Sequence, residues 1–269
     1  MKLPIVDFLG VPTSKLIVGC NPFVGFSYHS PEMDEEMMDY YVGSRISQTL
    51  MQAQAIGYTT MLLLADSLLL RVVREYRENG GTMDMLAQVT EAPLPPLLKA
   101  SPRMAYMQGG LTDNYIERGD KQLVIDKIKQ LKDHGIKAGF ASHKPEYIEM
   151  AEEEGWGAQF YMVSLHRKPE GHVSSAISGI TDAAVENPFV EGTRPIALET
   201  IRKIQKPCIA YKIFRGGYLA RGDEQTRRAA MEEALTGIKE NDIAVVGIYQ
   251  RYTDQLGENS DMASDILSK

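Results

Sequence analysis

At 269 residues, 43% hydrophobic and 24% charged, the chain has the composition of a globular protein with ample core, so disorder as its main state is excluded. Its 36 acidic against 29 basic residues give a net charge of −7 at pH 7, which argues against a nucleic-acid surface. The start, Met1 to Asp7, has no apolar signal core, no stretch approaches the roughly 18 apolar residues of a membrane span, and Cys20 and Cys208 lie far apart in apolar segments; the expectation is a reduced, cytoplasmic protein.

Extended apolar runs alternate with helical ones along the chain. Leu16 to Cys20 reads as a first strand, followed by a helix from about Asp34 to Ala55 stopped at Gly57. Thr59 to Ala65 is a second strand with the helix Leu68 to Arg77, and Met85 to Thr90 a third with a short helix, Leu94 to Lys99. Met104 to Gln108 is the fourth, closed by Gly109-Gly110, with Lys121 to Lys132 as its helix. Lys137 to Ser142 and the helix Pro145 to Glu154 follow, then the strand Gln159 to Ser164, a long loop, and a helix near Pro195 to Ile204. Pro207 to Phe214 with Glu224 to Ile238, and Ala244 to Tyr249 with a helix from Asp254, complete the series.

Eight β-α units with continuously apolar strands predict a parallel sheet buried on both faces, closed as a single α/β (β/α)8 TIM barrel over residues 1–269. An open doubly wound sheet is the alternative, but Gly19-Cys20-Asn21-Pro22 is not the glycine-rich turn such sheets carry. The Glu152-Glu153-Glu154 run reads as a solvated face, and Met33, Met37 and Met38 as core filler.

Barrels place their chemistry at the carboxyl ends of the strands. Those ends carry Asn21, Asp66, Glu91, Gln108, His143, His166, Lys212 with Arg215, and Tyr249 with Arg251. Alternation in Cys208-Ile209-Ala210-Tyr211-Lys212 puts Lys212 on one face with two small residues, which suits a barrel interior, where a lysine is a nucleophile, a base or an anion clamp, with a structural ion pair as the alternative. Arg215-Gly216-Gly217 suggests backbone amides and a guanidinium around a phosphate. His143 and His166 occupy neighbouring strand ends, with His29 and His172 in loops that can reach the same mouth, yet no third metal ligand is placed, so the expectation is no metal. His134 reads as a surface residue favoured by a helix C-terminus.

With the strands placed, Ser14-Lys15-Leu16-Ile17-Val18-Gly19-Cys20-Asn21-Pro22-Phe23 resembles the opening strand of the aldo/keto reductases. Leu131 to Glu146 is similar to that superfamily's fifth unit, and Val246 to Tyr249 with Asp254 to Asn259 to its last. Asn21 to Ser27, Glu146 to Trp156 with Phe160-Tyr161-Met162, and the strand from Lys206 to Phe214 look like a bacterial branch of aldo/keto-reductase-like proteins. The resemblance implies the barrel fold and makes NADP a candidate cofactor. The family's tyrosine donates a proton with support from a Lys and an Asp, beside a His. No Asp or Tyr of that set falls within Thr60 to Leu68, no Lys within Met85 to Thr90, and Gln108 stands near where the His is expected.

The expectation is a small-molecule enzyme, oxidoreductase-like or lyase. Lys212, His143 and Tyr249 are its catalytic candidates. Asn21, Gln108, His166, Arg215, Gly216, Gly217 and Arg251 would hold an anionic phosphate or carboxylate ligand. A non-catalytic ligand-binding barrel, or an NADP-dependent oxidoreductase with a non-standard donor such as Tyr249, are the alternatives. The expected partner is a small molecule, with a second copy of the chain as a further one and neither nucleic acid nor membrane.

Overall fold

The computed structural model describes residues 3–169 and 189–269; His172 lies outside them. A two-stranded antiparallel hairpin, β1 (Ile5–Phe8) and β2 (Val11–Ser14), comes first and was not expected. Its turn, Leu9-Gly10, has both residues at positive φ, the conformation that matches strand twist, and Asp7 accepts the Gly10 amide at 2.6 Å. Phe8 is fully buried with its ring 5.7 Å from that of Phe160, so the hairpin covers the amino end of the strands that follow.

Those strands are β3 (Leu16–Gly19), β4 (Thr60–Leu64), β5 (Asp84–Val89), β6 (Met104–Met107), β7 (Lys137–Ser142), β8 (Phe160–Ser164), β9 (Cys208–Tyr211) and β10 (Ile243–Gly247). All neighbours are parallel, and β10 pairs with both β9 and β3, closing the eight-stranded barrel that the continuously apolar runs predict. Gly19 is required where β3 meets β10, since a Cβ there would lie 2.9 Å from the Val246 carbonyl oxygen.

Helices α1 (Pro31–Tyr40), α2 (Gly43–Ile56), α3 (Ser67–Glu78), α4 (Pro95–Leu98), α5 (Gly109–Glu117), α6 (Lys121–Asp133), α7 (Pro145–Glu153), α8 (Arg194–Lys203), α9 (Glu224–Gly237) and α10 (Gln255–Leu267) accompany the barrel. Their inner faces follow helical spacing, as with Leu69, Val72, Val73 and Tyr76 of α3, and Asp66 caps that helix by accepting the Leu68 and Leu69 amides.

Three expectations are corrected. The single helix from Asp34 to Ala55 is two, α1 and α2, broken at Tyr41-Val42, where Tyr41 donates its hydroxyl to the Ile248 carbonyl at 2.8 Å. Gly109-Gly110 does not merely close a strand but opens α5, because Gln108 caps it by accepting the Leu111 amide at 2.7 Å. The acidic run is not only solvated: Glu152 accepts from Tyr161 at 2.9 Å and pairs with Lys206, while Glu154 bonds Lys121 and Trp156. No helix among the described residues is long and apolar enough to cross a membrane.

Candidate functional site

The carboxyl ends of the barrel strands open on a cavity of about 310 Å³. Strand alternation aims Gln88 of β5, Tyr106 of β6, Ala141 of β7, Met162 of β8 and Tyr211 of β9 into it. Asn21, Gln108, His143 and Lys212 join the wall from the first residues beyond their strands, and Met33 and Met37, read as core filler, also line it. Among the described residues, the wall contains no aspartate or glutamate, whereas Lys212, Arg221, His29 and His143 all belong to it.

His143 has the most defined surroundings. Its Nδ1 lies 2.8 Å from Oδ2 of Asp113, on α5, and its own amide donates to the same oxygen at 3.1 Å. Ser142 donates its hydroxyl to Asp113 Oδ1 at 2.5 Å, which fixes the carboxylate's plane. A carboxylate on Nδ1 holds the proton there and leaves Nε2 as the acceptor. Burial, followed by the charge of Lys212, pushes the imidazole down to about 4, so it is neutral at pH 7 despite Asp113.

Lys212 reaches the wall for a different reason than alternation. Strand β9 ends at Tyr211, whose side chain is the one facing the cavity, so Cys208 and Ala210 belong to the opposite face. Lys212 then takes φ +63°, and this left-handed step carries it onto the cavity wall. Its nitrogen is shielded from bulk water, 4.8 Å from the ring centres of both Tyr28 and Phe189 and 5.9 Å from that of Tyr211. Lys168, buried just beyond β8, lies 5.4 Å from the same Tyr28 ring.

The expected phosphate cradle is not assembled as read. Arg215 is absent from the wall; its guanidinium pairs with Glu191 and donates to the Phe189 carbonyl at 3.3 Å. Gly216 and Gly217 do line the cavity, both at positive φ, but the Gly217 amide already donates to the Phe214 carbonyl at 2.9 Å. The cation that this segment delivers is Arg221, from the next turn of chain. His29 backs the segment, its ring 4.2 Å from that of Tyr218, and burial lowers it to about 4.

His166 is buried but outside the wall. Burial and then the charges of Arg194, Arg215 and Lys212 lower it to about 3, and its Nε2 has no hydrogen-bond partner among the described residues. The two histidines therefore do not converge, and no group of three or more His, Cys, Asp or Glu among the described residues is placed to hold a metal. Tyr249 lines the cavity, but its hydroxyl donates to Glu36 at 2.5 Å; burial and that carboxylate push it up, away from the role of acid. Arg251 lies outside the wall, half-exposed, 3.9 Å from Glu36. Asn21 donates to the Tyr28 hydroxyl at 3.1 Å. Asp66 is a helix cap and Glu91 accepts from Tyr115, so neither reaches the cavity.

Sequence reasoning missed Asp113, Gln88, Tyr106 and Arg221. Gln88 and Tyr106, hydrogen-bonded to each other at 2.7 Å, carried a signal, since each is polar at an inward position of an apolar strand. Asp113 carried none once its helix was read as a loop.

No protein-family model matches the chain, and no curated protein matches it in sequence. Solved structures do resemble it. A glycerol dehydrogenase, AKR11B4 of Gluconobacter oxydans, matches with TM-score 0.53 at 11% identity, covering 98% of this chain and 95% of that one. A variant of Gox0644 in complex with NADPH matches at 0.59 and 11%, covering 100% and 92%. A phospho-2-dehydro-3-deoxyheptonate aldolase of Thermotoga maritima matches at 0.53 and 12%, covering 99% and 71%. A dehydrogenase and an aldolase fit equally well, so the likeness leaves the chemistry open. The chain has the closed parallel barrel found in aldo/keto reductase structures, and at these identities the likeness extends to the fold alone.

Proposed function

We propose that the cavity is the active site of an enzyme acting on a small anionic molecule, a carboxylate or phosphate, in which His143 moves a proton. The observation that carries this reading is the composition of the wall: in a chain of net charge −7, the described lining residues include Lys212 and Arg221 and no carboxylate. Such a wall focuses positive potential within a negative molecule and draws in anions. The amides of Asn21, Gln88 and Gln108 add donors and acceptors for the substrate's other oxygens.

Within that site, Asp113 holds His143 in the tautomer that offers Nε2, and it stabilises the imidazolium once a proton is taken. The bound anion offsets the charge of Lys212, one of the causes of His143's low value, so substrate binding strengthens the base. Both cysteines are buried thiols, in keeping with a reducing compartment such as the cytoplasm.

NADP, which the fold suggests, does not fit as a hydride source working with Tyr106, Tyr211 or Tyr249 as proton donor. The hydroxyls of Tyr106, Tyr211 and Tyr249 are committed to Gln88, the Ser142 carbonyl and Glu36. Proton transfer through His143 needs no hydride.

The test is exchange of carbon-bound protons in D2O, followed by proton NMR over small 2-oxo carboxylates, 2-hydroxy carboxylates and sugar phosphates. The wild-type protein is expected to accelerate exchange at the carbon beside the anion-bearing or carbonyl group of one class, with a loss of about 10²-fold or more in His143→Gln. Binding without exchange in any class would instead assign a non-catalytic ligand-binding barrel.

A further inference from the structure

Lys212 has surroundings that a simple anion clamp does not need. Withdrawing a lysine nitrogen from water disfavours the ammonium and makes the neutral, nucleophilic amine available. The Lys212 nitrogen is shielded from bulk water among the rings of Tyr28, Phe189 and Tyr211. His143 packs against one of those rings, its centroid 5.7 Å from that of Tyr211, and Lys212 acts electrostatically upon it. Arg221 remains in the wall to hold an anionic group elsewhere on the same molecule.

We propose that Lys212 forms an imine with the carbonyl carbon of an anionic aldehyde or ketone and that His143 then exchanges the proton on the adjacent carbon; this rests on the reading of the cavity given above. The ammonium first loses a proton through the cavity to solvent, leaving the neutral amine. The amine's electron pair forms a C–N bond while the carbonyl oxygen takes up a proton. The resulting hydroxyl leaves as water with a second proton, given up by the nitrogen, and a protonated imine remains. His143 next removes the proton on the adjacent carbon, and that C–H pair moves into the new C=C bond as the C=N π pair returns to nitrogen. Reprotonation and hydrolysis reverse the sequence, so no oxidant or reductant is consumed. The protonated imine carries the same single positive charge as the ammonium it replaces, so the rings of Tyr28 and Phe189 stabilise both forms.

The test is reductive trapping of the whole chain with sodium borohydride in the presence of pyruvate, glyoxylate or dihydroxyacetone phosphate, read by intact mass and peptide mapping. The expected product is a single adduct on Lys212, heavier than the protein by the probe less one oxygen atom. Lys212→Arg is expected to lose the adduct while keeping stabilisation by inorganic phosphate, because it retains the cation without the nucleophile. His143→Gln is expected to keep the adduct and lose deuterium exchange into pyruvate or dihydroxyacetone phosphate, the two probes with a C–H proton beside the carbonyl. No adduct with any of the three probes, or one spread over surface lysines, overturns the proposal, and the wild-type map decides this even where a variant fails to fold. Failed trapping with phosphate stabilisation intact removes the imine and leaves the anion site; failure of both removes the underlying reading as well.

Discussion

His143 and His166 are neutral for the same physical reason, burial beside cations, and this has a consequence for stability. Their folded values, about 4 and about 3, lie below the ordinary histidine value of 6.5. The unfolded chain therefore binds more protons than the folded one as the pH falls below 6.5, and stability rises with pH through that window. The contribution is fully present above the unfolded value and is lost toward pH 4, by about 3 kcal/mol for each ring. Urea midpoints are expected to fall steeply from pH 7 to pH 5, and His166→Phe to flatten the fall; a midpoint unchanged across that range would contradict the burial of both rings. At this scale the sequence located residues better than roles. Lys212 reaches the cavity although the strand that was to aim it ends one residue earlier. Arg215 was read as the clamp, but Glu191 engages it and Arg221 takes the place in the wall. Nothing local in a sequence distinguishes two arginines six residues apart when a left-handed turn lies between them.

Among the elements, strands were legible within a few residues, because a strand buried on both faces leaves an unbroken apolar run. What escaped notice has specific causes. The Leu9-Gly10 hairpin lacks the Asn-Gly or Asp-Gly pair that marks such turns, and α5 starts at two glycines, residues that ordinarily signal a break. The missed helix carries Asp113, so misreading one element removed the partner of His143. The segment from Phe214 to Gly222 is built from two short 3-10 turns with Gly216 at φ +64°. A Cβ at that position would lie 2.8 Å from the Phe189 ring and 3.2 Å from that of Tyr28, the two rings that flank Lys212. Gly216→Ala is therefore expected to cost about 1–3 kcal/mol in urea unfolding, through strained φ and overpacking, and to weaken anion binding with it. A variant as stable as the parent would show that the turn relaxes without disturbing the rings.

Over the whole molecule, the barrel was legible and the chemistry was not, because β-α alternation specifies a fold that hosts many reactions. Structures of a glycerol dehydrogenase and of an aldolase match the chain at the same TM-score of 0.53. The tyrosines of the cavity bear on that choice. With the hydroxyls of Tyr106, Tyr211 and Tyr249 hydrogen-bonded to Gln88, the Ser142 carbonyl and Glu36, NADPH-dependent reduction of simple aldehydes is expected to run orders of magnitude below that of enzymes with a supported tyrosine donor. Brisk NADPH oxidation with glyceraldehyde would contradict this, whereas cofactor binding without turnover would not.

The contrast between a net charge of −7 and a wall holding Lys212 and Arg221 without a described carboxylate is the feature on which the functional account depends. A ligand that binds only the folded chain stabilises it by about 2.7 kcal/mol at a hundredfold excess over its Kd, a rise in Tm on the order of 5 °C for a protein of this size. The direct measurement is the melting temperature against phosphate, sulfate, pyruvate and a sugar phosphate at constant ionic strength, for the wild type and Lys212→Met. The account predicts a saturable rise with at least one of these anions in the wild type and none in the folded variant. A wild-type melting temperature that ignores all four, or a rise that Lys212→Met retains in full, would contradict it.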